Sequence, residues 1–135
     1  MAIQFSVAVR NARLDGIEAG IGASAKLRLY SGAPPANCAA AASGTLLAEW
    51  TLAADWSAPA AGGTKTITLP SAAALGIAAG TVGHYRLVDS TGANCGEQGT
   101  VTATGGPGDA TMDNLSVAVG QPVNLTSWTW TEPGA

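Results

Sequence analysis

Val7, Leu14, Ile17 and Ile21 recur at helical spacing, which predicts a helix over residues 6–20. In this reading Arg10, Asn11, Asp15 and Glu18 lie toward the opposite side. Ser6 has the hydroxyl of an N-cap, and Gly20 and Gly22 end the helix. Gly16 and Gly20 each weaken it by about 1 kcal/mol relative to alanine, so it needs something to pack on. After residue 22 the period changes to two. Leu27 and Leu29 alternate with Lys26, Arg28 and Tyr30, and Leu46, Ala48, Trp50 and Leu52 share one face of the next run. Further strands are predicted at residues 64–69, 81–89, 99–104, 114–119 and 122–130. Gly120-Gln121-Pro122 joins the last two as a hairpin-like turn, and Gly105 to Gly108 is a flexible connection. The expectation is an all-β fold: an antiparallel β-sandwich or barrel of about seven short strands with an N-terminal helix. Residues 1–22 form a helical arm, an appendage to a β-sandwich domain over residues 23–135.

Composition narrows the class of protein. With 135 residues the chain has room for one ordinary domain. Charged residues are 11% of the chain, less than half the usual share of about 25%. Low charge argues against a disordered chain, and abundant glycine argues against a long helical coil. A net charge of −3 with six Lys and Arg gives no reason to expect nucleic acid as a partner. No apolar run approaches the length of a membrane span, and Arg10, Arg13 and Asp15 interrupt the N-terminus too early for a signal peptide. Synthesis in the cytoplasm, with no membrane partner, is expected. An uncharged surface rich in small residues is cheap to bury, which favours life inside an assembly.

Candidate chemistry is sparse. His84 is the sole histidine, sits in a strand pattern and reads as structural, since no nucleophile motif accompanies it. The aspartates are scattered, with no closely spaced acidic loop for calcium and no Cys/His set for zinc. No metal, no cofactor and no enzyme activity are expected. Trp128 and Trp130, two apart, share a strand face that can be core, a protein contact or a platform for stacking sugars. Trp56, in a loop with alanines nearby, can anchor a partner. The segments Leu27–Cys38 and Tyr85–Cys95 echo each other: a strand with an outward Arg, a glycine turn, then Ala-Asn-Cys. If those strands are neighbours, their loops meet and Cys38 and Cys95 can form a disulfide. Otherwise the echo is chance and the two are isolated thiols.

The opening MAIQFSVAVRNARLDGIEAGIGASAKLRLYSGAPPANC, the Gly83-His84-Tyr85-Arg86 strand, Met112-Asp113-Asn114 and Gly120-Gln121-Pro122-Val123 together resemble a family of small structural proteins of tailed bacteriophages and prophages. The likeness spans nearly the whole chain, and its motifs are structural. It implies a virion protein, and most simply a capsid decoration (cement) protein. Such a protein binds the outside of the major capsid protein lattice and stabilises the head. A homo-oligomer, such as a trimer at a local threefold, suits that role. The contact residues expected are Phe5, Val9, Arg10 and Arg13 on the arm and helix, with Trp56, Trp128 and Trp130. The alternative is a tail or fibre-associated structural protein, with a glycan-binding surface on the tryptophans.

Overall fold

A computed structural model describes residues 3–132. Among the described residues one helix precedes ten strands, so the fold is all-β with an N-terminal helix. The helix, α1 (Val7–Ile21), starts and stops where its sequence dictates. Ser6 is extended and its hydroxyl accepts from the Val9 N–H at 3.3 Å. Gly22, at φ 96°, takes a conformation that L-residues avoid, and its N–H reaches Glu18 O at 2.8 Å.

The strands are β1 (Lys26–Ser31), β2 (Leu46–Thr51), β3 (Thr64–Thr66), β4 (Ala74–Leu75), β5 (Gly80–Val88), β6 (Cys95–Ala103), β7 (Ala110–Met112), β8 (Ser116–Val117), β9 (Pro122–Val123) and β10 (Ser127–Thr131). Seven of them form one sheet in the order β2-β1-β5-β6-β7-β10-β3, with β8 joined to the start of β5. The β4 and β9 strands make a separate pair.

The sheet is mixed, not purely antiparallel, because β6 and β7 run parallel. The segment between them folds back directly on β6. Gly108 N donates to Thr102 Oγ1 at 2.9 Å, and Asp109 Oδ2 accepts from Thr100 N at 2.9 Å. A Cβ on Gly106 or Gly108 would stand 2.6 or 2.8 Å from Thr102 atoms. These glycines permit a close approach of two backbones, and the connection read as flexible is a tight, bonded return.

Residues 114–130 also differ from the reading as a simple hairpin. Gln121 N reaches Ala118 O at 3.1 Å, so the turn exists. Its two arms part, however: β8 pairs with β5 and β9 pairs with β4. A period-two pattern does not say which partner each strand takes.

The core lies on one face of the long sheet. Leu27, Leu29, Tyr85, Leu87 and Val101 point into it, with Trp56, Trp128 and Trp130 from beyond β2 and from β10. The Tyr85 and Trp128 rings are 5.3 Å apart although two strands separate β5 from β10, so the sheet curls around this cluster. At β2 the partner jumps from Ala48 to Leu46, which leaves Leu47 as an extra, fully buried residue.

The helix is docked on the body, and largely through polar groups. Leu14 is its one fully buried residue. At 100° per residue, positions 11, 14, 18 and 21 fall in one stripe, so Asn11 and Glu18 face the body beside Leu14. Their placement on the opposite side, expected from the sequence, is incorrect. Asn11 Oδ1 accepts from Gly63 N, Asp15 Oδ1 from Ala60 N, and Glu18 Oε1 from Trp56 N, all at 2.9–3.1 Å. Lys65, only 2% exposed, reaches Asp15 at 2.7 Å and Glu18 at 3.3 Å. The helix thus supplies acceptors to a loop that has few strand partners of its own.

Candidate interaction surface

Residues 3–6 lead into α1 outside any helix or strand and carry exposed apolar side chains. Ile3 is 76% exposed, and Phe5 on the arm and Val7 and Val9 on the first turn of the helix are exposed as well. The Arg13 guanidinium lies 5.0 Å above the Phe5 ring and pairs with Glu132 at 2.8 Å. Arg13 therefore props the arm against the body. Arg10 is half-buried and packs over the Gly63 turn, where a Cβ would meet its Nη1 at 2.3 Å. Of the four arm and helix residues expected at a contact, Phe5 and Val9 present apolar surface. Arg13 braces the arm, and Arg10 is committed to the fold.

The tryptophans expected at a contact are interior. Trp56, Trp128 and Trp130 are 0%, 2% and 9% exposed. Trp56 stacks on Trp128 at 6.5 Å between centroids and meets Trp130 edge-on at 5.7 Å. The Trp56 Nε1–H donates to Gly22 O at 2.9 Å, which ties the loop to the helix C-terminus. Neither a partner anchor nor a sugar platform is available from them. A loop position flanked by alanines said nothing of this, because burial here comes from three segments distant in sequence.

A second apolar patch was not legible in the sequence. Leu75, Ile77 and Val119 are all exposed. Gly76 N donates to Gln121 O and Gly120 N to Gly76 O, each at 2.8 Å, which brings the three side chains to one tip beside β4 and β9. The signal available was weak: single apolar residues next to glycine, with no periodicity.

Glu97 is a carboxylate whose pKa is raised. It points into the aromatic cluster, where Tyr85 O–H and Trp130 Nε1–H (2.5 Å) both donate to Oε1. Its Oε2 is buried without a partner. Burial pushes its pKa up to about 7, against the opposing effect of those two donors. The Tyr85 hydroxyl is driven well above its ordinary range by burial and then by the Glu97 charge. Elsewhere, hydrogen bonds from Lys65 and from Ala60 N–H hold Asp15 below the usual carboxylate range. Burial works against the Glu18 charge, but Ser57 and Lys65 outweigh it and lower its pKa. His84 is fully buried, stacked on Tyr30 at 5.3 Å, with its Nδ1 2.8 Å from Gly32 O. It packs as a structural residue.

Cys38 and Cys95 are free thiols that line one cavity of about 270 Å³ with Arg28, Tyr30 and Arg86. The route that brings them together differs from the expected one. β1 and β5 are neighbours but antiparallel, so the loops that follow them leave from opposite ends. Instead, residues 32–44 run back over the sheet and return, closed by Ser31 N to Thr45 O at 3.1 Å.

Among the described residues, no group of three or more His, Cys, Asp or Glu could hold a metal ion. No described helix is long and apolar enough to cross a membrane. Comparison with protein-family models, curated proteins and solved structures returns no match to this chain.

Proposed function

We propose that this chain is a structural protein of a tailed-bacteriophage virion, acting as a capsid decoration protein on the major capsid protein lattice. The observation that carries the mechanism is the exposed apolar N-terminal segment with Ile3, Phe5, Val7 and Val9, whose residues 3–6 lie outside any helix or strand. Such a segment buries apolar area against a neighbour, at roughly 25 cal/mol per Å² before the costs of association. Its non-helical start can also add as a strand to a sheet edge. The tip formed by Leu75, Ile77 and Val119 gives a second contact, and two contacts on each copy make a lattice multivalent. The role is adhesive and requires no catalysis. Identification with a phage protein rests on the sequence resemblance.

A reconstruction of the particle tests the reading. We expect on the order of hundreds of copies on the head surface, with residues 3–9 at a capsid subunit boundary. The double variant Phe5→Ser/Val9→Ser should keep the fold, because both side chains are exposed, and lose capsid binding at least tenfold. A few copies at the tail would replace this reading with a tail component. Full binding by the double variant would remove the arm from the mechanism.

A further inference from the structure

The excursion over residues 32–44 is fastened to the sheet in an unusual way. Its side chains are mostly small and exposed, so they contribute little to a core. It is held instead by side chains of the sheet that grip its backbone carbonyls. His84 Nδ1 meets Gly32 O at 2.8 Å, and Gln98 Nε2 donates to Pro35 O at 2.7 Å. Arg86 donates to Cys38 O at 2.8 Å and to Ala40 O at 3.0 Å. Arg86 is itself buried and has no carboxylate partner, so these carbonyls are its compensation. The segment is a strap whose backbone is gripped by polar side chains of the sheet.

The strap delivers Cys38 to the one other thiol in the chain. Cys95 begins β6 opposite Val88, and its Sγ–H donates to Glu97 O at 3.3 Å. We propose that Cys38 and Cys95 are a cross-linking site, at which an internal disulfide locks the strap across the outer face of the sheet. The oxidant is a small-molecule disulfide. One cysteine thiolate attacks it, forming a mixed disulfide and releasing one small thiol. The other cysteine, as its thiolate, then attacks the protein sulfur of that mixed disulfide and expels the second small thiol. Two cysteine S–H bonds are lost, one S–S bond forms, and the small disulfide is reduced to two thiols. Burial, and next the neighbouring Cys95, push the Cys38 thiol up to about 11, so the reaction is slow at neutral pH and speeds up in mild alkali. The cavity that Cys38 and Cys95 both line gives the small disulfide a route of approach.

The full chain is incubated at pH 8 with oxidised glutathione and then alkylated, and intact mass and peptide mapping follow. The expected product is a monomer two hydrogens lighter, with one Cys38–Cys95 linked peptide. Its Tm should rise by roughly 10 °C, because a long loop is closed in the unfolded chain. Amide exchange in residues 33–44 should slow at least tenfold on oxidation. The variants Cys38→Ser and Cys95→Ser should each keep the reduced protein's circular dichroism and show neither effect. Stable glutathione adducts on both cysteines without the internal link, or linkage only between chains, would overturn the proposal. An internal link that leaves exchange in the strap unchanged would overturn its locking role.

Discussion

The two faces of the β1–β5–β6 region hold opposite charges by opposite means. On the inner face Glu97 lies among aromatic rings with no cation, stabilised by the Tyr85 hydroxyl and the Trp130 N–H. On the outer face Arg86 lies under the strap with no carboxylate, stabilised by the Cys38 and Ala40 carbonyls. The two positions are close neighbours, since Arg86 pairs with Gln98 and Leu87 with Glu97. They nevertheless cannot neutralise each other, because alternate residues of a strand point to opposite faces. A carboxyl group can escape burial by taking up a proton. A guanidinium cannot, so it must be given acceptors permanently. The inner face is therefore tied to large apolar area with one titratable group in it, and the outer face to a chain segment that serves as a ligand for Arg86.

Removing the inner cluster gives the largest effect. Trp128→Ala leaves a cavity among Trp56, Tyr85 and Trp130 and should cost roughly 3–5 kcal/mol in denaturant unfolding. A loss below about 1 kcal/mol would show that the cluster does not close the curled sheet.

Next is the pH response of Glu97. Its folded pKa, about 7, lies above the ordinary value of 4.5, so the folded protein keeps a proton that the unfolded chain releases. Stability from this group is unaffected below pH 4.5 and falls as pH rises toward 7, by roughly 3 kcal/mol at most, then levels off. Glu97→Gln should flatten that slope, read as denaturation midpoints between pH 4 and 8. An unchanged slope would place the titration elsewhere.

The smallest global effect belongs to the outer face. Arg86→Leu removes the grip on Cys38 O and Ala40 O and should cost about 2 kcal/mol, with amide exchange accelerated first in residues 33–44. Acceleration spread evenly over β1 and β5 would mean that the strap and sheet unfold as one unit. The contrast between the two faces would then be lost.

The reading of tryptophan as a contact residue fails for the same reason that the helix face was misjudged. Both used local neighbours in place of three-dimensional ones. Trp56 has alanines nearby in sequence, but its ring meets Trp128 and Trp130. Asn11 and Glu18 are polar, but they face the body because the loop N–H groups of Gly63 and Trp56 need acceptors there.

By itself the sequence determined the helix with its Ser6 and Gly22 boundaries, the inward Leu27 and Leu29, the shared face of Ala48, Trp50 and Leu52, and the β class. These depend on capping groups and on periods of 3.6 and two, which act between residues close in the chain. Only the tertiary structure decided the parallel β6–β7 pair, the burial of the tryptophans, the Leu75–Ile77–Val119 tip and the path that carries Cys38 to Cys95. Each of those depends on which distant segments become neighbours. A sheet curling over its own core selects those neighbours through packing and hydrogen bonds that no local pattern encodes.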